Sequence, residues 1–293
     1  MKIADPGPAV IELATQGDLA ALDRLLLAVQ PGVFNLAVRM LGNRDDAADA
    51  TQEILLKVVT HLGSFRAEAA FPTWVWQIAR NHLLSAVTRS RQSPEVSLEG
   101  MAERLQAGLD FVMNLGQAPG VGAVLTPQDK AEARQLALGC TQNMLMALDC
   151  EQRLVYLLDT VFGLPSKEAA AVLGIAPPAY RQRLSRAKAR LEGFVGQTCG
   201  LVNADAACRC ERQLPALRHA AASAAHRPGG TAPIAIHRAE RAEAERHFGA
   251  FTRLSDAAAV FRAHPEYQAP EALRGAIRAV LGAEGYLGDG TRH

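Results

Sequence analysis

The sequence has no long apolar run and no signal-like beginning. Nowhere do about 18 uncharged apolar residues follow one another, as a membrane-spanning helix would require. The first residues, MKIADPGPAVIEL, contain no apolar core of the length found in signal peptides. These two absences predict a cytoplasmic protein without membrane contact.

Cysteine and net charge are also scarce. The five cysteines are odd in number and unevenly spaced, which argues against the disulfide framework of a secreted protein. The net charge of the 293 residues is only +1, so any surface for nucleic acid must be a local basic patch. A chain of this length has room for about two domains of usual size.

Strand patterns and catalytic motifs are missing as well. Helical periodicity recurs along the chain and predicts an all-α fold. Histidines, serines and carboxylates occur, but none stands in Ser-His-Asp order, in a glycine-rich phosphate loop or in a recognisable pair of metal ligands. We therefore expect a binding protein and not an enzyme.

The chain does contain a basic helical hairpin at residues 164–191. Its first helix ends at Gly174, and Pro177 and Pro178 begin a second helix with an apolar stripe. The cations of the second helix have no acidic neighbour before Glu192; they are Arg181, Arg183, Arg186, Lys188 and Arg190. This pattern is typical of a helix-turn-helix that reads duplex DNA. The alternative is an ordinary amphipathic hairpin with a solvated basic face.

Three helices are predicted in residues 10–62, with breaks at Pro31–Gly32 and at Gly42–Asn43. The third helix begins with aspartates, which suit the positive end of a helix. One of its faces is apolar and the other is polar and mainly acidic.

Aromatic and basic residues alternate in the next segment, a loop at residues 63–70 and a helix that starts near Pro72. The members are Phe65, Arg66, Phe71, Trp74, Trp76, Arg80 and Asn81. Aromatic faces, cations and an amide within so short a span suit the gripping of unpaired bases. The alternative is that Trp74, Ile78 and Leu83 are core residues at helical spacing.

Taken in this order and separation, the motifs DAADATQEILLKV, FPTWVWQIARN and RQRLSRAKARL closely resemble bacterial sigma factors of the extracytoplasmic-function (ECF) group of the sigma-70 family. The resemblance covers residues 10–195. It implies an alternative sigma factor, which binds core RNA polymerase and promoter DNA and directs transcription initiation. The rival interpretation is a free-standing DNA-binding regulator, which would not need the acidic helix.

The resemblance also implies site residues. Those matching the polymerase-docking helix are Asp46, Ala47, Asp49, Gln52 and Glu53. Those matching the segment that captures a flipped base are Phe65, Arg66, Trp74, Arg80 and Asn81. Those matching the helix that reads the minus-thirty-five element are Arg181, Arg183, Arg186 and Lys188.

Some positions depart from the family pattern. Ala176, Pro178 and Ala179 stand where serine, glycine and threonine are usual, so hydroxyl contacts to phosphate are missing there. Ser85 stands where aspartate is frequent, and Pro72 stands where arginine is frequent. Promoter opening is therefore expected to depend more on Arg66 and Arg80.

The resemblance divides the chain into two helical domains and an extension. A region 2-like domain is expected at residues 1–91, a flexible linker at 92–127, which matches the segment threading the RNA exit path, and a region 4-like domain at 128–196. A mostly helical extension follows at 197–293, where helical periodicity predicts helices at residues 237–254, 257–262 and 270–281. Its apolar faces are too short for a core of their own, so we expect it to pack on the linker and on the helices of residues 128–161. Either this extension or a separate anti-sigma factor is a candidate regulator.

Three cysteines follow the basic helix, at Cys199, Cys208 and Cys210. Their spacing is not a standard zinc spacing, and a fourth ligand is not identified. A bound metal, a redox pair and inert packing cysteines are all open interpretations, and no other cofactor is expected.

Overall fold

The computed structural model describes residues 2–89, 97–114, 125–224 and 257–283. Twelve α-helices lie in these ranges and are numbered along the chain: α1 Pro8–Thr15, α2 Leu19–Leu41, α3 Arg44–Thr60, α4 Phe71–Arg89, α5 Leu98–Asn114, α6 Pro127–Met146, α7 Cys150–Tyr156, α8 Ser166–Leu173, α9 Pro177–Thr198, α10 Cys210–Ala224, α11 Ala257–Arg262 and α12 Ala272–Ala283. The helix predicted at residues 237–254 lies outside the described ranges.

The all-α prediction is confirmed. The described ranges contain no β-strand and only a single bridge, between Cys199 and Cys208. A 3-10 turn at Leu62–Ser64 and a π-helical turn at Leu157–Val161 are the other helical pieces in those ranges.

The chain forms two compact units, each assembled from separate stretches. Unit 1 contains Met1–Ser93, Leu154–Leu184 and Glu266–His293, and unit 2 contains Pro94–Arg153 and Ser185–Pro265. The domain boundaries at residues 91, 127 and 196 follow from the family resemblance and stay predictions.

Helix α2 forms the centre of unit 1. The Asp18 carboxylate caps its first turn by accepting the Ala21 N–H at 2.7 Å, and Gly42 ends it with a left-handed φ of 74°. By length and composition α2 could cross a membrane, but 72% of its apolar window is buried inside the protein. Leu25, Leu26 and other apolar residues have no exposed area, which makes α2 a core helix.

The break predicted at Pro31–Gly32 is wrong, because α2 continues through both residues. Proline has no N–H to donate within the helix, so this turn needs outside support. The N–H that Pro31 lacks would have bonded the Leu27 carbonyl, and the N-terminal segment packs beside this turn, where the Ala4 N–H donates to the neighbouring Ala28 carbonyl at 3.2 Å. A Cβ on Gly32 would lie 2.6 Å from Ile3 Cγ1, so glycine is needed for this close contact.

The hairpin at residues 164–191 folds as predicted. Gly174 ends α8 with a left-handed φ of 63°, and α9 begins at Pro177. The apolar stripe of α9 is buried, and the Tyr180 hydroxyl donates to the Val155 carbonyl at 3.1 Å. Helix α9 is longer than its motif and continues to Thr198.

Unit 2 contains α5, α6 and α10, and α10 packs against both of the other two helices. Helix α5 lies within the predicted linker. The Gln213 amide of α10 donates to the Leu105 carbonyl of α5 at 2.8 Å, and His219 stacks on Phe111 with ring centroids 4.7 Å apart. The prediction that the extension packs on the linker and on residues 128–161 is therefore confirmed for α10.

The last helix of the extension packs elsewhere, against α3 of unit 1, so that part of the prediction is wrong. Buried polar groups of α2 guide this packing. Asn35 donates its amide to the Tyr267 carbonyl and accepts the Tyr267 N–H, both at 2.9 Å, while the Arg39 guanidinium lies 4.9 Å from the Tyr267 ring centroid. Arg278 of α12 adds an ion pair with Asp23. Sequence periodicity cannot reveal such long-range partners.

An exposed ion pair of unit 2 is expected to make stability depend on pH. A hydrogen bond from the Thr126 side chain, followed by one from Arg218, lowers the pKa of Asp129 from 3.8 to about 2. A carboxyl group whose pKa is lowered by folding stabilises the fold above its ordinary pKa, and this contribution is lost as pH falls. The wild-type melting temperature should fall as the pH is lowered from 3.8 to about 2, and this fall should be smaller in Arg218→Ala. The melting temperature is to be measured in steps of pH, with Arg104→Ala on α5 as the control. If the melting temperature of Arg218→Ala falls with pH as steeply as that of Arg104→Ala, this expectation is wrong.

Candidate nucleic-acid and protein interfaces

An acidic strip runs along α3. The Asn43 side chain begins this helix by accepting the N–H groups of Asp45 and Asp46 at 2.8 and 3.3 Å, which confirms the break predicted at Gly42–Asn43. The strip consists of Asp46, Asp49, Gln52 and Glu53. Its three carboxylates are exposed and lie three or four residues apart, on one face of the helix. Such a surface suits a basic protein partner.

An aromatic cluster follows α3. The rings of Phe65, Phe71 and Trp74 have centroids 5.3 to 5.6 Å apart, and Phe71 is buried while the other two are half-buried. Arg66 is exposed at the start of the loop, and the next residue, Ala67, has a positive φ of 55°. A non-glycine residue in this region of backbone space is uncommon and keeps the loop in a tight turn.

An open cavity of about 410 Å³ lies between α3 and α4 and is called the α3–α4 cavity below. Its lining residues are Lys57, His61, Ser64, Trp74, Ile78, Asn81, His82 and Ser85. The Lys57 ammonium lies 3.0 Å from Nδ1 of His82. One aromatic face surrounded by amide, hydroxyl, imidazole and ammonium groups can stack on a base and hydrogen-bond its edge.

The basic face of α9 flanks its buried stripe. Arg181 and Arg186 are exposed, while Arg183 and Lys188 are half-buried. Arginine and lysine side chains on one helix can contact phosphates and guanine edges in a major groove.

Two families match separate parts of the chain. Sigma-70 region 2 matches residues 25–93, which contain the acidic strip, the aromatic cluster and the α3–α4 cavity. Sigma-70 region 4 matches residues 138–191, which contain the hairpin and its basic helix.

Curated relatives carry the same assignment. The chain is 26% identical over 187 residues to the RNA polymerase sigma-H factor of Pseudomonas aeruginosa, which covers 62% of this chain and 90% of that protein. It is 25% identical over 191 residues to the ECF RNA polymerase sigma-E factor of Escherichia coli, with 64% and 92% covered. The chain belongs to the ECF group of sigma-70 factors.

A solved relative shows only a distant likeness. The sigma factor RpoE of Bartonella quintana, in complex with the anti-sigma factor NepR, has a TM-score of 0.38 and 24% identity, and covers 59% of this chain and 95% of that chain. The assignment of this sigma factor therefore rests on the sequence matches. As a member of the group it is an alternative sigma factor, which binds core RNA polymerase and directs promoter recognition.

One predicted residue of the docking helix is internal in this sigma factor. Ala47 has no exposed area, so its side chain packs in the core and only the acidic strip faces outward. Helical spacing could have indicated this, because Ala47 shares its face with the buried Ile54 and not with Asp49.

Arg80 is already engaged within unit 1. Its Nη1 donates to the Val172 carbonyl at 3.0 Å, and the Gln77 amide donates to the Ala171 carbonyl at 3.0 Å. These two side chains of α4 therefore cap the C-terminal carbonyls of α8, where a cation is electrostatically favoured. This bond engages one of the five N–H donors of the partly exposed Arg80 guanidinium.

The structure places the predicted base-capture residues in three settings. Trp74 and Asn81 line the α3–α4 cavity, whereas Phe65 and Arg66 belong to the neighbouring cluster and loop. Trp76 is buried against Phe162, with ring centroids 5.0 Å apart, so it is a core residue. The core alternative is correct for Leu83, which is fully buried, but Trp74 and Ile78 are only half-buried.

Sequence reasoning missed the polar lining of the cavity. His61 and His82 were not predicted, although Lys57 and His61 lie four residues apart at the end of α3. That spacing places two nitrogen-bearing side chains on one face and is a signal that was available. The contribution of His82 comes from α4 and depends on how the two helices pack.

Proposed function

We propose that three surfaces of this sigma factor divide the work of initiation. The acidic strip docks on core polymerase, the α3–α4 cavity holds an unpaired base of the minus-ten element, and α9 binds the minus-thirty-five duplex. This work takes place in the cytoplasm, where core polymerase and DNA meet.

The α3–α4 cavity is the observation that carries this proposal. It combines the Trp74 ring with the Asn81 amide and the hydroxyl and imidazole groups around them. A duplex-binding repressor has no use for a cavity suited to one unpaired base, whereas promoter melting creates such bases. The acidic strip lies on α3, the helix that supplies Lys57 to the cavity and that ends directly before His61.

Run-off transcription with core polymerase tests the proposal. The full chain is to be added to core enzyme on a library of DNA fragments with varied minus-ten and minus-thirty-five elements. Transcripts that require both elements and this chain are expected. Binding to duplex fragments without any transcript would favour a free-standing regulator.

The basic helix is expected to set sequence preference. Arg181 is exposed near the start of α9. In a recognition helix, the N-terminal residues are those that contact base edges. Arg181→Ala should weaken binding to the minus-thirty-five duplex by about 1 to 3 kcal/mol and relax preference at one base pair, if its contact is bidentate to guanine. Fluorescence anisotropy on a set of single-base variants measures both effects. Arg104→Ala on α5 is the matched control, and equal losses for the two variants would contradict the assignment.

We propose further that the extension regulates this sigma factor through α12. Ile277 of α12 is fully buried, and α12 packs on α3, the helix that carries the acidic strip. Ile277→Asp should release α12, increase binding of an apolar dye and raise the affinity for core polymerase. Ala279→Asp, on the exposed side of α12, is the matched control. Release of α12 with unchanged polymerase affinity would show that the extension has no regulatory role.

A further inference from the structure

Four of the five cysteines line one small apolar cavity in unit 2. Cys140 comes from α6, Cys199 follows α9, and Cys208 and Cys210 lie at the start of α10. The cavity volume is about 20 Å³, which is the space that a single water-sized particle needs. Its other walls are mainly apolar and include Leu105, Ala137 and Met144. The fold thus brings the Cys140 thiol to the three thiols of residues 199–210.

The loop between α9 and α10 is built to hold two of these cysteines side by side. Cys199 and Cys208 form the single parallel bridge, and the Gly200 N–H donates to the Cys208 carbonyl at 3.0 Å. A Cβ on residue 200 would overlap that carbonyl oxygen, so only glycine permits the approach. Arg209 fastens the loop by donating to the carbonyls of Ala204 and Cys208, at 2.6 and 3.1 Å.

Hydrogen-bond donors point at the sulfur atoms. Burial raises the pKa of Cys199, while the neighbouring N–H groups of Leu201 and Val202 act in the opposite direction, and the Val202 N–H donates to the Cys199 carbonyl at 3.1 Å. The Gln213 amide approaches the Cys208 sulfur at 3.8 Å. Donors of this kind stabilise a thiolate, which is the form of cysteine that binds metals.

A redox role fits these thiols less well. Burial, and then the neighbouring Cys199 and Cys208, raise the pKa of Cys140 to about 12. The pKa of Cys210 is also raised well above its ordinary value, mainly by burial. Reactive cysteines need a lowered pKa, and burial acts on both of these thiols in the opposite direction.

We infer that Cys140, Cys199, Cys208 and Cys210 bind one Zn²⁺ ion as four thiolates. Four Zn–S bonds form and four S–H protons leave, so the site carries a net charge of −2, which Arg209 and the N–H donors offset. Zn–S bonds are about 2.3 Å long, and a tetrahedral four-cysteine set is a common structural site. No three of the described Cys, His, Asp or Glu side chains already converge as a metal site, so rotation of the thiols toward the cavity centre accompanies binding.

The inferred ion would tie α6 to the loop that follows the basic helix. Cys199, Cys208 and Cys210 supply only three ligands, and Cys140 supplies the fourth. The ion then fixes where α9 ends and where α10 begins, and it acts independently of the proposed promoter surfaces.

Metal analysis of the reduced full chain tests this inference. The wild-type chain and Cys150→Ser, whose cysteine lies outside the cavity, should each retain one Zn²⁺ after passage over a chelating resin. Cys140→Ser should bind Zn²⁺ at least tenfold more weakly in competition with a chromophoric chelator. Replacement by Co²⁺ in the wild type should produce the absorption bands of tetrahedral cobalt bound to thiolates.

A second measurement on the wild type keeps the test decisive if Cys140→Ser does not fold. Alkylation followed by peptide mass spectrometry should label Cys150 and leave the other four cysteines protected until Zn²⁺ is removed. Absence of stoichiometric Zn²⁺ after reconstitution under reducing conditions would overturn the inference, and so would full Zn²⁺ affinity in a folded Cys140→Ser. A Cys199–Cys208 disulfide in acid-quenched protein would also contradict the inference, because it would identify these cysteines as a redox pair and not as zinc ligands.

Discussion

Asp49→Arg is expected to weaken association with core RNA polymerase at least tenfold, or about 1.4 kcal/mol, without altering helicity or melting. Asp49 is exposed at the centre of the acidic strip, between Asp46 and Glu53. Reversing its charge places a cation against the basic partner surface and lowers the association rate. Because its side chain is not packed in the core, the free energy of unfolding should change little. Biolayer interferometry with immobilised core enzyme measures the effect at two ionic strengths.

Glu12→Arg supplies the control for this charge reversal. Glu12 is exposed on α1 and its replacement changes the net charge by the same amount. Loss of affinity should be confined to Asp49→Arg and should shrink at high salt, because exposed charges are screened. If both variants bind core polymerase as tightly as wild type, the acidic strip is not the docking surface.

Asn81→Ala is expected to impair open-complex formation by at least tenfold and to leave duplex binding unchanged. The Asn81 side chain is exposed and lines the α3–α4 cavity beside Trp74. Its amide can pair with the edge of an unpaired base, and one hydrogen bond lost at such a site costs about 1 to 2 kcal/mol. Permanganate reactivity of unpaired thymines reports opening, and anisotropy on the minus-thirty-five duplex reports binding.

The same substitution at another helix position separates the cavity from general effects. Asn114→Ala lies at the exposed end of α5 in unit 2 and should open promoters like wild type. A weaker duplex affinity for Asn81→Ala would place this residue in duplex reading. Normal permanganate reactivity would exclude the cavity from base capture.

The position of Arg80 affects how these experiments are read. In unit 1 its guanidinium caps α8 together with Gln77, so Arg80→Ala changes both a helix cap and any DNA contact. A loss of function in that variant would not identify which role was removed. Asn81 is exposed and lines the cavity, which makes it the cleaner probe.

Local rules determined much of this protein from its sequence. The Asn43 cap of α3, the left-handed Gly174 and the prolines that begin α9 each act within a few residues. Helical periodicity likewise determined the acidic strip and the buried stripe of α9. These features could be predicted because their causes and their consequences lie close together in the chain.

The tertiary structure decided the features whose partners are far apart in sequence. Helix α2 continues past Pro31 because Ile3 and Ala4 pack beside it, and Arg80 bonds a carbonyl 92 residues away. Cys140 joins the three later cysteines only when α6 and α10 pack together. Nothing in the periodicity of a segment encodes such partners, because they depend on shape and hydrogen bonding between segments that meet only in the folded chain.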